Sequence, residues 1–193
     1  MAINPIFGEP LEERGVEYDE TYDRLIELLG RRGARYRLID HPAEGRTEIV
    51  SGYRGNDLSA AAKCMIVMVK VGKKVTRYVL AVVPGDARVD LQAVKRLYDG
   101  TYVSFATPEI AERLSGCVAG TILPFSFHPD LQLIADPRIR DSAELFFNAA
   151  RLDRSMALRT EDFLAIATPR FEPIAAVESG EAAGFTAADR ATP

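Results

Sequence analysis

Two apolar runs joined by a three-residue turn constrain this chain more than any other feature. Lys63–Val71 and Val75–Val83 are dominated by Val, Ile, Met, Leu and Ala, with Gly72-Lys73-Lys74 between them. Such β-rich runs bounded by a glycine turn read as a hairpin whose strands are at least half buried. Its apolar stretches, Met65–Val69 and Val79–Val83, fall far short of the roughly 20 residues that would cross a bilayer. The hairpin therefore belongs in the core of a soluble domain.

Helical spacing surrounds it. Tyr22, Leu25, Ile26, Leu28 and Leu29 recur as on an amphipathic helix that Gly30 and Gly33 bring to an end. Tyr36–Asp40 alternates like a short strand. Thr47-Glu48-Ile49-Val50 predicts a short helix with Thr47 as its cap and Gly55 as a left-handed stop. Leu91, Val94, Leu97 and Tyr98 predict another helix, and Thr107-Pro108-Glu109 a third that starts on a hydroxyl cap and ends at Gly116. Tyr102–Phe105, Leu131–Ala135 and Glu144–Ala149 are further strands, and Thr160-Glu161-Asp162 caps a last helix. About six strands and four or five helices, without regular β-α alternation, give an α+β fold: a mixed sheet with helices packed on it.

At 193 residues one domain is expected, spanning residues 20–167. Residues 1–19, rich in Pro, Gly and charge, form a partly ordered extension. Residues 168–193 form a polar, flexible C-terminal tail. No basic segment followed by an apolar core opens the chain, so a cytoplasmic protein with no membrane partner is expected. The two cysteines, Cys64 and Cys117, and the two histidines, His41 and His128, are too few and too scattered for a disulfide or a zinc set, and no cofactor is expected. The net charge of −4 argues against DNA as a partner and requires any RNA to bind through a local patch.

Few residues carry chemistry. Lys63 opens an apolar strand after Ala60-Ala61-Ala62, where a fixed ammonium could meet a phosphate or carbonyl oxygen; a lysine that merely snorkels to water is the plainer reading. The loop Gly116–Pro124 can bring peptide groups close to a ligand; it could equally be a connection. His41 suits proton transfer near neutrality or a plain turn before Pro42. Ser104, Ser126 and Ser155 lack a nucleophile-elbow setting, which argues against a serine hydrolase. Neither phosphate-loop nor dinucleotide glycine pattern occurs. Two basic groups, Lys70, Lys73, Lys74 with Arg77, and Arg151, Arg154 with Arg159, are candidates for an RNA backbone or for solvated surface.

Ala61-Ala62-Lys63-Cys64, Val79-Leu80-Ala81-Val82-Val83-Pro84-Gly85-Asp86, Ser104-Phe105-Ala106-Thr107-Pro108-Glu109, Gly120-Thr121-Ile122-Leu123-Pro124 and Phe147-Asn148-Ala149-Ala150-Arg151 occur in this order. Together they resemble the YbaK and prolyl-tRNA-synthetase-associated domain family over Tyr22–Ala167. The resemblance implies a strongly curved central sheet, a partly open barrel, with helices around it. It also implies hydrolysis in trans of the ester of a mischarged aminoacyl-tRNA, commonly proline tRNA carrying a small amino acid. Lys63 and Gly120 match the family's catalytic positions. Thr121, Ile122, Leu123, Pro124 and Asn148 match the aminoacyl pocket, with His41, Arg46 and Thr47 at its border. Ala150 departs from the glycine that the family often carries there. The acidic net charge weakens autonomous tRNA binding, so help from prolyl-tRNA synthetase or an elongation factor is expected. Two other readings compete: a non-catalytic module that binds an RNA end or nucleotide, and an interaction protein working through its tail.

Overall fold

The computed structural model describes residues 16–177, with side chains from 20 to 176; the expected extension up to residue 15 and the tail from 178 lie outside the described residues. The expected hairpin is the longest ladder. β2 (Ala62–Val71) and β3 (Val75–Pro84) pair antiparallel from Ala62↔Pro84 to Val71↔Val75. Both faces are covered, which explains the near-continuous apolar sequence. Ile66, Leu80 and Val82 face one core cluster; Val67, Val69, Val79, Ala81 and Val83 face another.

The larger cluster is closed by Leu25 and Leu29 of α1 (Val16–Arg31), Leu114 of α4 (Pro108–Ser115) and Phe163 of α5 (Thr160–Ala167). The smaller is closed by Ala93 and Val94 of α3 (Leu91–Leu97). β5 (Tyr102–Phe105), β2, β3, β6 (Leu131–Ala135) and β9 (Arg170–Phe171) form one mixed sheet in that order, β6 running parallel to both neighbours. β1 (Tyr36–Asp40), β8 (Arg154–Arg159) and β7 (Glu144–Asn148) form a second, antiparallel sheet. A parallel bridge between Ala61 and Phe146 joins the two. The mixed α+β architecture is as expected, with the strands divided among separate ladders. No helix among the described residues is long and apolar enough to cross a membrane.

Three expectations are corrected. β8 reads in the sequence only as a basic stretch, because its arginines conceal the Ser155–Leu158 run, which is buried. Thr47 and Thr160 are first helical residues, not caps. Arg46 and Arg159 hold the cap positions of α2 (Thr47–Arg54) and α5 without side-chain capping bonds, and the Thr160 hydroxyl donates instead to Ser142 O at 2.5 Å. The tail does not begin at 168. β9 and β10 (Ala175–Val177) continue the fold, β10 pairing with β4 (Ala87–Val89), and Ile174 is fully buried. The buried Asp136 carboxylate fixes this segment by accepting the Ile174 and Ala175 N–H groups at 3.0 and 2.8 Å. A hydrogen bond contributes roughly 0.5–1.5 kcal/mol net, so these two bonds and the buried Ile174 side chain tie a locally polar segment to the fold.

Candidate active site

A cavity of about 410 Å³ opens where the sheet is incomplete. β5 pairs only with Val67–Lys70, so among the described residues no strand lies beside the edge of β2 from Ala62 to Ile66. The cavity lies against that edge, between the start of α2, the first turns of α4 and the Ala119-Gly120 loop. Lys63, Gly120, Arg46, Thr47, Ile122 and Asn148, picked from distant parts of the sequence, all line it.

Two glycines hold the cavity's wall by touching backbone to backbone. Gly120 has φ +85°, in the region that favours glycine. A Cβ there would stand 2.6 Å from Gly45 Cα and 2.9 Å from Gly45 O. Asn148 fastens the same contact: its Nδ2 donates to Glu44 O at 2.9 Å and to Gly120 O at 3.0 Å. One amide at the end of β7 therefore sets the spacing of two loops. Gly45 was not anticipated, since a single glycine beside Arg46 carries no sequence signal until its partner is known.

Behind Asn148 stands a second residue that sequence reasoning missed. Arg54, at the end of α2, donates from Nη2 to Asn148 Oδ1 at 2.6 Å and from Nε to Ser155 Oγ at 2.8 Å. Ser155 Oγ also lies 2.9 Å from Asn148 Oδ1 and 2.6 Å from His41 Nε2. Burial pushes the Arg54 guanidinium down to about 10. Its place at a helix C-terminus, where the backbone dipole is negative, offsets part of that cost. The only sign in the sequence was a cation one residue before a helix-stopping glycine, which is common on solvated helices.

Lys63 Nζ donates to Ala87 O at 3.1 Å and lies 3.7 Å from Glu48 Oε1. An ammonium carries three donors; with one bonded to Ala87 O and Glu48 only at ion-pair distance, at least one remains for a ligand. Cys64 also lines the cavity, but burial raises its thiol far above the ordinary range, and a thiol without a nearby cation stays protonated and unreactive. At the rim, Arg46 Nη2 pairs with Glu44 Oε2 at 2.8 Å. Hydrogen bonds from the Arg46 side chain, then from backbone N–H groups, hold the Glu44 carboxyl down at about 2.

Sequence and structure comparisons can be set against this geometry. The aminoacyl-tRNA editing domain profile matches residues 41–166. The chain belongs to the aminoacyl-tRNA editing domain family. This editing domain is 43% identical over 150 residues to the multifunctional Ser/Thr-tRNA deacylase ProXp-y of Escherichia coli (strain K12), covering 77% of this chain and 89% of that protein. It is 40% identical over 60 residues to the proline–tRNA ligase of Geobacillus thermodenitrificans (strain NG80-2), covering 31% of this chain and 11% of the ligase. Its fold superposes with TM-score 0.67 on a crystal structure assigned to trans-editing for prolyl-tRNA synthetase, at 22% identity, covering 81% of this chain and 97% of that one.

Four expected contact residues of the editing domain are not among the lining residues. His41 points its Nε2 at the fully buried Ser155 and its Nδ1 at Pro42 O, 2.9 Å away. Thr121 is fully buried and its hydroxyl donates to Val118 O at 2.9 Å. Leu123 packs in the larger core cluster, and Pro124 is buried. The loop alternates, with Gly120 and Ile122 at the cavity and Thr121 and Leu123 anchoring it from behind. The Ser155–His41 pair looks like a nucleophile and its base, yet Ser155 has no exposed surface and is already bonded to Arg54 and Asn148.

Proposed function

We propose that this protein hydrolyses the ester bond between a non-cognate amino acid and the 3′ end of a tRNA, acting in trans. The observation that carries the reading is the convergence of the Lys63 ammonium and the Gly45–Gly120 backbone contact on one cavity whose lining offers no activated nucleophile. Water attacks the ester carbonyl, the bond to the ribose oxygen breaks, and the proton leaves on the ribose hydroxyl. The products are free amino acid and tRNA. Catalysis of this kind needs placement and fixed dipoles more than a reactive side chain. Lys63 holds the terminal nucleotide or the ester oxygen with its remaining donor. Gly120 presents peptide groups that no Cβ screens, and Asn148 keeps that loop in register with Glu44 and Gly45.

The amino acid removed is serine or threonine, an assignment supported by the Ser/Thr-tRNA deacylase activity of the 43% identical relative. The carrier we favour is proline tRNA, supported by the partial match to proline–tRNA ligases. With a net charge of −4, delivery by a synthetase or elongation factor fits the weak overall attraction for RNA.

The test is release of labelled amino acid from a panel of mischarged tRNAs. Ser- or Thr-charged proline tRNA should be discharged, and Lys63→Ala should lower turnover about 100-fold or more without changing the fold. Retained RNA binding with no release from any substrate would favour the non-catalytic binding module instead. Full activity of the Lys63 variant would remove that residue from the mechanism.

A further inference from the structure

The fold treats the two basic groups of the sequence differently. Arg151 is paired with Asp153 at 3.0 Å, Arg154 with Asp40 at 2.7 Å, and Arg159 lies 4.0 Å from Glu161. Lys70, Lys73 and Lys74, at the hairpin turn, are exposed. No carboxylate among the described residues pairs with any of them; Lys70 Nζ instead sits 5.7 Å from the centre of the Tyr102 ring, itself exposed. Clustered cations left unpaired in a protein of net negative charge are a local attractor for a polyanion.

Their position relative to the cavity is set by the length of β2. Ala62–Ile66 line the cavity from both faces of the strand. Lys70 continues the same strand, on the face of Ala62, Cys64 and Ile66 and opposite Tyr102 of β5. From Ile66 to Lys70 is four residues, about 13 Å along the strand. At 3.4 Å per nucleotide that is about four stacked nucleotides. Arg77 is also exposed but opposes Val69, on the face of the hairpin opposite to Lys70.

We propose that the corner formed by Lys70, Lys73 and Lys74 is the docking surface for the acceptor arm of the RNA whose 3′ end enters the cavity. The inference rests on the deacylase reading above for the identity of the RNA. The occupant is the sugar-phosphate backbone, read by charge and without base specificity.

Two measurements test this separately from the chemistry. Fluorescence anisotropy with labelled, uncharged tRNA compares wild type, the triple variant Lys70→Gln, Lys73→Gln and Lys74→Gln, and the single variant Arg77→Gln. The triple variant should bind about tenfold or more weakly near 0.1 M salt, with the slope of log Kd against log salt reduced by about 2–3. Arg77→Gln should leave both nearly unchanged. Unchanged affinity and slope in the triple variant would overturn the proposal, as would an equal loss from Arg77→Gln. Amino-acid release by the wild type is scored independently: its absence would refute the deacylase reading, while the anisotropy comparison would still decide the docking surface.

Discussion

Replacing Gly120 by alanine tests the architecture of the site most directly. At φ +85° an L-residue costs roughly 1–2 kcal/mol. The new methyl carbon would also stand 2.6 Å from Gly45 Cα, 2.9 Å from Gly45 O and 3.1 Å from Gly45 C. All three are backbone atoms, so relief requires the two loops to part by about 1 Å, and overpacking of this kind costs about 1–3 kcal/mol. The stiffer unfolded chain returns about 0.4–1 kcal/mol, leaving a net loss of about 1–4.5 kcal/mol. For a chain of this size that lowers Tm by about 2–18 °C. Parting the loops by 1 Å also stretches one of the two Asn148 bonds, now 2.9 and 3.0 Å, past useful length. A misplacement of that size costs about 100-fold in rate. Urea unfolding and amino-acid release measured on the same preparation provide both numbers. Gly30→Ala is the control: Gly30 lies in α1 with nothing within 4 Å of its would-be Cβ, so the protein should gain about 0.5–1 kcal/mol. A Gly120→Ala protein within about 0.5 kcal/mol of wild type and fully active would refute the claim that this backbone contact shapes the site.

Other perturbations separate the roles of neighbouring groups. Asn148→Ala removes the hydrogen bonds to Glu44 O, Gly120 O and Arg54, and at about 0.5–1.5 kcal/mol for each bond should cost a few kcal/mol in urea unfolding. Asn148→Asp gives Arg54 a carboxylate but no donor for the loops, so unfolding should show stability partly restored while turnover stays low. Cys64→Ala should keep turnover within about tenfold, because loss of a true covalent nucleophile costs about 10⁴ or more. Glu44, held at about 2 against an ordinary 4.5, contributes stability that is fully present above about 4.5 and disappears as pH falls towards 2. The stability gap between wild type and Glu44→Gln should therefore narrow across that window in acid titrations of unfolding.

Elements whose signals are local were legible before any contact was known. Residue type and spacing specified the hairpin around Gly72, the Thr107-Pro108 helix start, whose hydroxyl does cap Ile110 N, and the strand Leu131–Ala135. Motif order specified the family, and Lys63 and Gly120, picked out with it, line one cavity. What the sequence could not supply was every feature made by two distant segments. β8 became a strand because β1 and β7 flank it, although its arginines read as surface. Residues 168–177 became part of the fold because Asp136 receives their N–H groups. Gly45, Arg54 and Ser155 acquired their roles only from contacts with residues 75 to 114 positions away. Conversely, Thr121 and Leu123 lost their expected place because only alternate residues of that loop face the cavity. Local propensity acts over one turn or one strand. The gap along β2 that makes the cavity exists because β5 is shorter than its neighbour, a fact about pairing that neither strand's sequence contains.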